Sequence, residues 1–110
     1  MKNSGAHVVF ASDWPVARID VLAGIQAAVT RKPWGAGLPE QSFSMMEAIA
    51  GYTVEGAYAE FAEKKKGILK EGFLGDVVVL SGDIETTPAE EIATLSPVVT
   101  ICGGRVTYET

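Results

Sequence analysis

The run Val8-Val9-Phe10-Ala11-Ser12-Asp13-Trp14-Pro15 is apolar until it ends in a carboxylate, an aromatic ring and a proline. A run of this length and composition predicts a buried β-strand whose last residues emerge into a loop. Pro15 has no amide hydrogen and disfavours helical angles at Trp14, so the strand is expected to stop there. Side chains alternate along a strand, which places His7, Val9, Ala11 and Asp13 on one face and Val8, Phe10 and Ser12 on the other. Asp13 then stands at the carboxyl end of a strand, where open α/β sheets and barrels carry their reactive groups. A carboxylate there equally suits a structural task, capping the turn that follows.

Beyond Pro15, Val21, Leu22, Ile25, Ala28 and Val29 recur at helical spacing, with Asp20 as the N-cap and Pro33 forbidding continuation past about Arg31. Arg31 at the carboxyl end complements the helix dipole. Trp34 to Pro39 reads as a mobile loop. Ser44-Met45-Met46-Glu47 is a capping-box pattern opening a helix through Ala48, Ile49 and Tyr52, which Gly51 weakens. Thr53 with Glu55 suggests a second cap before Gly56 to Ala62, with Gly67 closing the charged end Glu63 to Lys66. Upstream, Met1 to Gly5 is polar and expected to fray.

After Gly67 the pattern turns strand-like. Val77-Val78-Val79-Leu80 predicts a strand buried on both faces, and Asp76 before it suits a structural role at turn amides. Thr87-Pro88-Ala89-Glu90 predicts another capping box and a short helix from Pro88 to about Leu95. Val98 to Cys102 and Arg105 to Glu109 flank Gly103-Gly104, a two-residue turn that predicts a β-hairpin. Cys102, among apolar neighbours, reads as a small buried hydrophobe.

Phe10-Ala11-Ser12-Asp13-Trp14-Pro15-Val16, followed by Ala27-Ala28-Val29-Thr30-Arg31, resembles the last barrel strand and following helix of the amidohydrolase superfamily, in its YtcJ-like branch, amidohydrolase family 3. Gly67 to Leu80 resembles the segment by which such chains leave the barrel for a small β-domain, with Gly75 where alanine is usual. The resemblance runs through nearly the whole chain but corresponds only to the carboxyl-terminal part of such an enzyme. It implies an α/β fold, incomplete as an isolated chain. Residues 1–66 would be the last strand and helices of a TIM-type (β/α)8 barrel, and residues 67–110 the C-terminal strands and short helix of a composite β-sandwich domain.

The same resemblance implies hydrolysis of a non-peptide carbon–nitrogen bond in a small-molecule amide. Asp13 would act as general base and acid at a metal-bound water and as a metal ligand, with Trp14, Arg31 and Trp34 near the substrate. The cofactor implied for the intact enzyme is a divalent metal, zinc first among candidates. The chain alone is expected to be inactive and to bind no metal tightly. His7 is its single histidine, and a hydrolytic metal centre of this kind is built mainly from imidazoles. Six residues of strand also separate His7 from Asp13, about 20 Å.

Totals narrow the rest. With 110 residues the chain cannot close a barrel that needs roughly 250. A net charge of −5 and the absence of a basic stripe exclude nucleic acid as a partner, and no apolar run reaches membrane-span length. Cys102 is alone, so an internal disulfide is impossible. The partners expected are the amide substrate, the missing N-terminal part of the barrel and further copies of the chain, because a lone strand and a bare hairpin leave unpaired edges. A cytoplasmic location is favoured. The competing reading is a non-catalytic binding or assembly module derived from a barrel fragment.

Overall fold

The structure, a computed structural model, describes residues 2–110. Its elements are helices α1 (Val21–Thr30), α2 (Met45–Tyr52) and α3 (Val54–Ala59), and strands β1 (Val77–Leu80), β2 (Pro97–Cys102) and β3 (Arg105–Glu109). Single 3-10 helices occupy Lys2–Ser4 and Ala89–Thr94. The expected frayed end is thus partly replaced by a turn, and Met1 lies outside the described residues. The strands form one antiparallel sheet in the order β1-β2-β3. The fold is a small α/β arrangement.

Local chemistry explains most helix ends. The Asp20 carboxylate accepts from the Leu22 and Ala23 amides at 3.1 and 3.3 Å, which fixes the start of α1. At α2 the capping box is complete: Glu47 N–H donates to Ser44 Oγ at 3.2 Å and Ser44 N–H to Glu47 Oε2 at 2.8 Å. Thr53 separates α2 from α3 but does not cap it, since its hydroxyl donates back to the Ile49 carbonyl at 2.8 Å. Helix α3 then ends well before Gly67. Phe61 adopts φ 60°, with Phe61 N–H donating to Tyr58 O and Ala62 N–H to Ala57 O, a Schellman closure built on an aromatic residue that is 94% exposed.

Asp83 reorganises the next predicted helix. Its carboxylate accepts from Glu85 N–H at 2.9 Å and its carbonyl from the Thr87 hydroxyl at 2.7 Å. Thr87 is therefore unavailable as a cap, and the expected short helix forms as a 3-10 helix without the capping box.

The terminal hairpin forms as read, with Gly103 at φ 56° and Gly104 at φ 79° and Cys102 paired to Arg105. Asp76 Oδ1 accepts from Gly103 N–H at 2.7 Å, so this carboxylate ties β1 to the turn. Two expectations fail here. Val78 and Val79 are 54% and 46% exposed, because β1 is an edge strand with nothing laid over it among the described residues. Cys102 is exposed, being the last residue before the turn.

The core is small. Leu22 and Ile25 of α1, Ala48 of α2 and Ile92 of the second 3-10 helix form it, with Phe10, Phe43, Leu80 and Leu95 packed around. Gln26 Oε1 also accepts from Ala93 N–H at 2.8 Å, a second tie between α1 and that turn. The exposed surface totals 8052 Å² for 11.6 kDa, against about 5,800 Å² for a compact monomer of that mass.

Tyr52 supplies a pH-dependent term. Its hydroxyl occupies the space a β-carbon on Gly24 would fill, and burial pushes its pKa above the ordinary 10.0. The folded state holds this proton more tightly than the unfolded one. The stabilisation is therefore whole below pH 10 and fades as pH rises through the folded value. Lys66, raised by its hydrogen bond from Nζ to Glu60, acts with the same sign just above. Urea midpoints measured from pH 8 upward should fall at the alkaline end, and Tyr52→Phe should flatten part of that fall; equal slopes for the two proteins would contradict the burial described.

Candidate functional site

Residues 6–12 run extended but pair with no strand, so the predicted strand is not formed. No neighbouring strand is present among the described residues; all three strands belong to the later sheet. The predicted faces nevertheless hold. Val8, Phe10 and Ser12 are half-buried, while His7, Val9, Ala11 and Asp13 are exposed. Phe10 is the anchor: its N–H donates to the Gly51 carbonyl at 3.1 Å, and its ring meets Phe43 edge-on at 5.1 Å and Tyr52 at 5.5 Å.

Asp13 ends the segment at φ 50°, a left-handed conformation that aspartate tolerates better than most residues. Its carbonyl accepts from Val16 N–H at 2.8 Å and Ser12 O from Ala17 N–H at 3.1 Å, closing a turn through the cis Trp14–Pro15 bond. These are backbone bonds. The Asp13 carboxylate itself is engaged by no hydrogen bond or ion pair among the described residues. Trp14 beside it is 66% exposed.

Arg31 stands at the C-cap of α1 and borders two hollows. One, of about 100 Å³, lies within the loop after α1 and is walled by Lys32, Trp34, Leu38 and Gln41. The other, of about 260 Å³, lies between the extended segment and α1 and is walled by Ala11, Gly24, Ala27 and Phe43. Arg31 and Trp34 thus meet at one hollow; Asp13 and Trp14 border neither.

The donor set does not suit a divalent metal. Among the described residues no three His, Cys, Asp or Glu side chains converge. His7, the one imidazole, is turned to helix α3: its Nδ1–H donates to Glu55 Oε2 at 2.6 Å, and its ring stacks on Tyr58 with centroids 3.9 Å apart. One exposed carboxylate without a second ligand does not fit a metal ion. The His7–Glu55–Tyr58 cluster was not anticipated; the available signal was that Glu55 and Tyr58, three apart, share a helix face. No described helix is long and apolar enough to cross a membrane.

Comparison with known proteins bears on this arrangement. The family model described as "Amidohydrolase family" matches residues 1–108, through Asp13 and the terminal hairpin alike. The chain belongs to the amidohydrolase family. It is 34% identical over 109 residues to "Protein LONG AFTER FAR-RED 3" of Arabidopsis thaliana, covering 96% of this chain and 18% of that protein. It is 35% identical over 103 residues to "Putative amidohydrolase YtcJ" of Bacillus subtilis, covering 89% of this chain and 20% of that one. This amidohydrolase chain therefore spans about a fifth of the length of the relatives it matches. No solved structure matches it.

Proposed function

We propose that residues 1–66 supply the terminal strand and flanking helices of a (β/α)8 hydrolase barrel, and residues 67–110 part of an adjoining β-domain. The assembled enzyme cleaves the carbon–nitrogen bond of a small non-peptide amide. The observation that supports this best is Asp13: a carboxylate held at a segment's end by a closed backbone turn, itself unengaged, within a stretch matched to the amidohydrolase family.

In this reading Asp13 takes a proton from the attacking water as its oxygen bonds to the amide carbon. It returns that proton to the nitrogen as the carbon–nitrogen bond breaks, giving a carboxylic acid and an amine. Without the second transfer the nitrogen would depart as an unstable anion. Arg31 and Trp14 contact the substrate, Arg31 through polar or anionic groups and Trp14 through its ring face. Asp13 alone cannot hold a divalent ion; in the assembled barrel it would be one ligand of such an ion, zinc being the first to try, which would supply an acidified water. The test is amide hydrolysis with and without the Asp13 carboxylate, in a protein of the relatives' full length.

The surplus of exposed surface favours association as well. Roughly 800 Å² per partner suffices for a stable interface, and the chain exposes well beyond that excess over a compact monomer. We propose that the isolated chain self-associates, as the assembly-module alternative also requires. Light scattering at micromolar concentration should report a dimer or larger species; a monodisperse monomer would reject this.

A further inference from the structure

Among the described residues the segment that presents Asp13 pairs with no strand, yet a slip of one residue would turn Asp13 toward the helices and present Ser12 in its place. Two contacts, on opposite faces of the segment, stand where a sheet would. On one face His7 reaches α3, donating from Nδ1 to Glu55 Oε2 at 2.6 Å and stacking on Tyr58. On the other, Phe10 sits on α2 at Gly51, where a β-carbon would lie 2.7 Å from Phe10 Cε2 and nearer still to Cδ2. Only glycine leaves room for that ring and for the bond from Phe10 N–H to Gly51 O.

We infer that His7 with Glu55 and Tyr58, and Phe10 with Gly51, are positioning residues that select Asp13 as the carboxylate shown at the segment's end. The pair is register-specific. A shift of one residue offers Ala6 or Val8 to Glu55, and neither has a polar side chain; it offers Val9 or Ala11 to the Gly51 seat, and neither fills an aromatic site. Gly51 lies in α2 and Glu55 and Tyr58 in α3, so one short helical unit holds the segment at both points. Gly51, which looks like a flaw in a helix, is the seat that makes this hold possible.

The inference rests on the proposed role of Asp13 only for its catalytic consequence, and its test needs no activity. In a Cys102→Ser background, the full chain carries Ala11→Cys or Ser12→Cys, and maleimide labelling rates are compared. Ala11 is exposed and Ser12 half-buried, so the first should react faster, on the order of tenfold. Gly51→Ala should bring that ratio to near one. Where Gly51→Ala unfolds the chain, as circular dichroism would show, His7→Leu and Glu55→Gln decide, since they leave α2 untouched. A lowered ratio in these folded variants supports the inference; a ratio unchanged in them overturns it. Such a failure would leave the proton-carrier reading standing, and that reading can fail in turn while the labelling pattern holds.

Discussion

Replacing Asp13 by asparagine in a full-length relative carrying this segment should lower kcat by about 10²–10⁴, the usual worth of a positioned acid–base group. That corresponds to about 3–5 kcal/mol on the barrier. The choice of asparagine matters. Asp13 sits at φ 50°, and asparagine is, with aspartate, among the few residues that accept the left-handed region readily. The turn is closed by backbone bonds from Val16 and Ala17, neither of which touches the side chain. The substitution therefore removes the ability to take and return a proton while leaving backbone and packing as they are. Stability should change by no more than about 0.5 kcal/mol, as for a surface position without partners. KM should move little if the carboxylate acts on the proton in flight rather than on the bound amide. Turnover near the parent's value, with the amide in place, would show that Asp13 is only a turn residue.

What could be read from the sequence is what depends on near neighbours. Asp20, the Ser44–Glu47 box and the Gly103-Gly104 hairpin lie within a few residues of the groups they satisfy, and all three form as their spacing indicates. The face of Asp13 was legible for the same reason, since alternation is a property of extended backbone whether or not a partner strand is present. What failed depended on competition or on distance. Thr53 and Thr87 look like caps, but each hydroxyl finds a carbonyl behind it, Ile49 in one case and Asp83 in the other. The exposure of β1 and of Cys102 follows from what does not lie over the sheet, which no local pattern reports. The His7–Glu55 contact spans 48 residues and the Phe10–Gly51 bond 41, so the means by which the candidate carboxylate is held had to come from the fold.

Truncating Ile92 to alanine should be the most damaging single change to stability. Among the described residues it is the one large side chain with no measurable exposure, 0%, and it joins the second 3-10 helix to Leu22 and Ile25 across nearly seventy residues of chain. A buried isoleucine cut to alanine costs about 2–5 kcal/mol, the range reflecting how far the surroundings collapse into the space. Collapse is hindered here on two sides. Leu22 and Ile25 are fixed by a capped helix, and the turn carrying Ile92 is held at Ala93 by Gln26, so neither wall is free to close the gap. The upper half of the range is the expected outcome. Against a total of about 5–15 kcal/mol for a domain of this kind, that loss removes a large share of the reserve. Because the hairpin has its own hydrogen-bonded register, the sheet should outlast the helices and unfolding should lose its single-step character. Urea titration followed both by far-ultraviolet circular dichroism and by tryptophan fluorescence checks this, since Trp14 and Trp34 flank α1 in the chain. A cost under about 1 kcal/mol with coincident transitions would mean that Ile92 does not couple the two parts as its burial indicates.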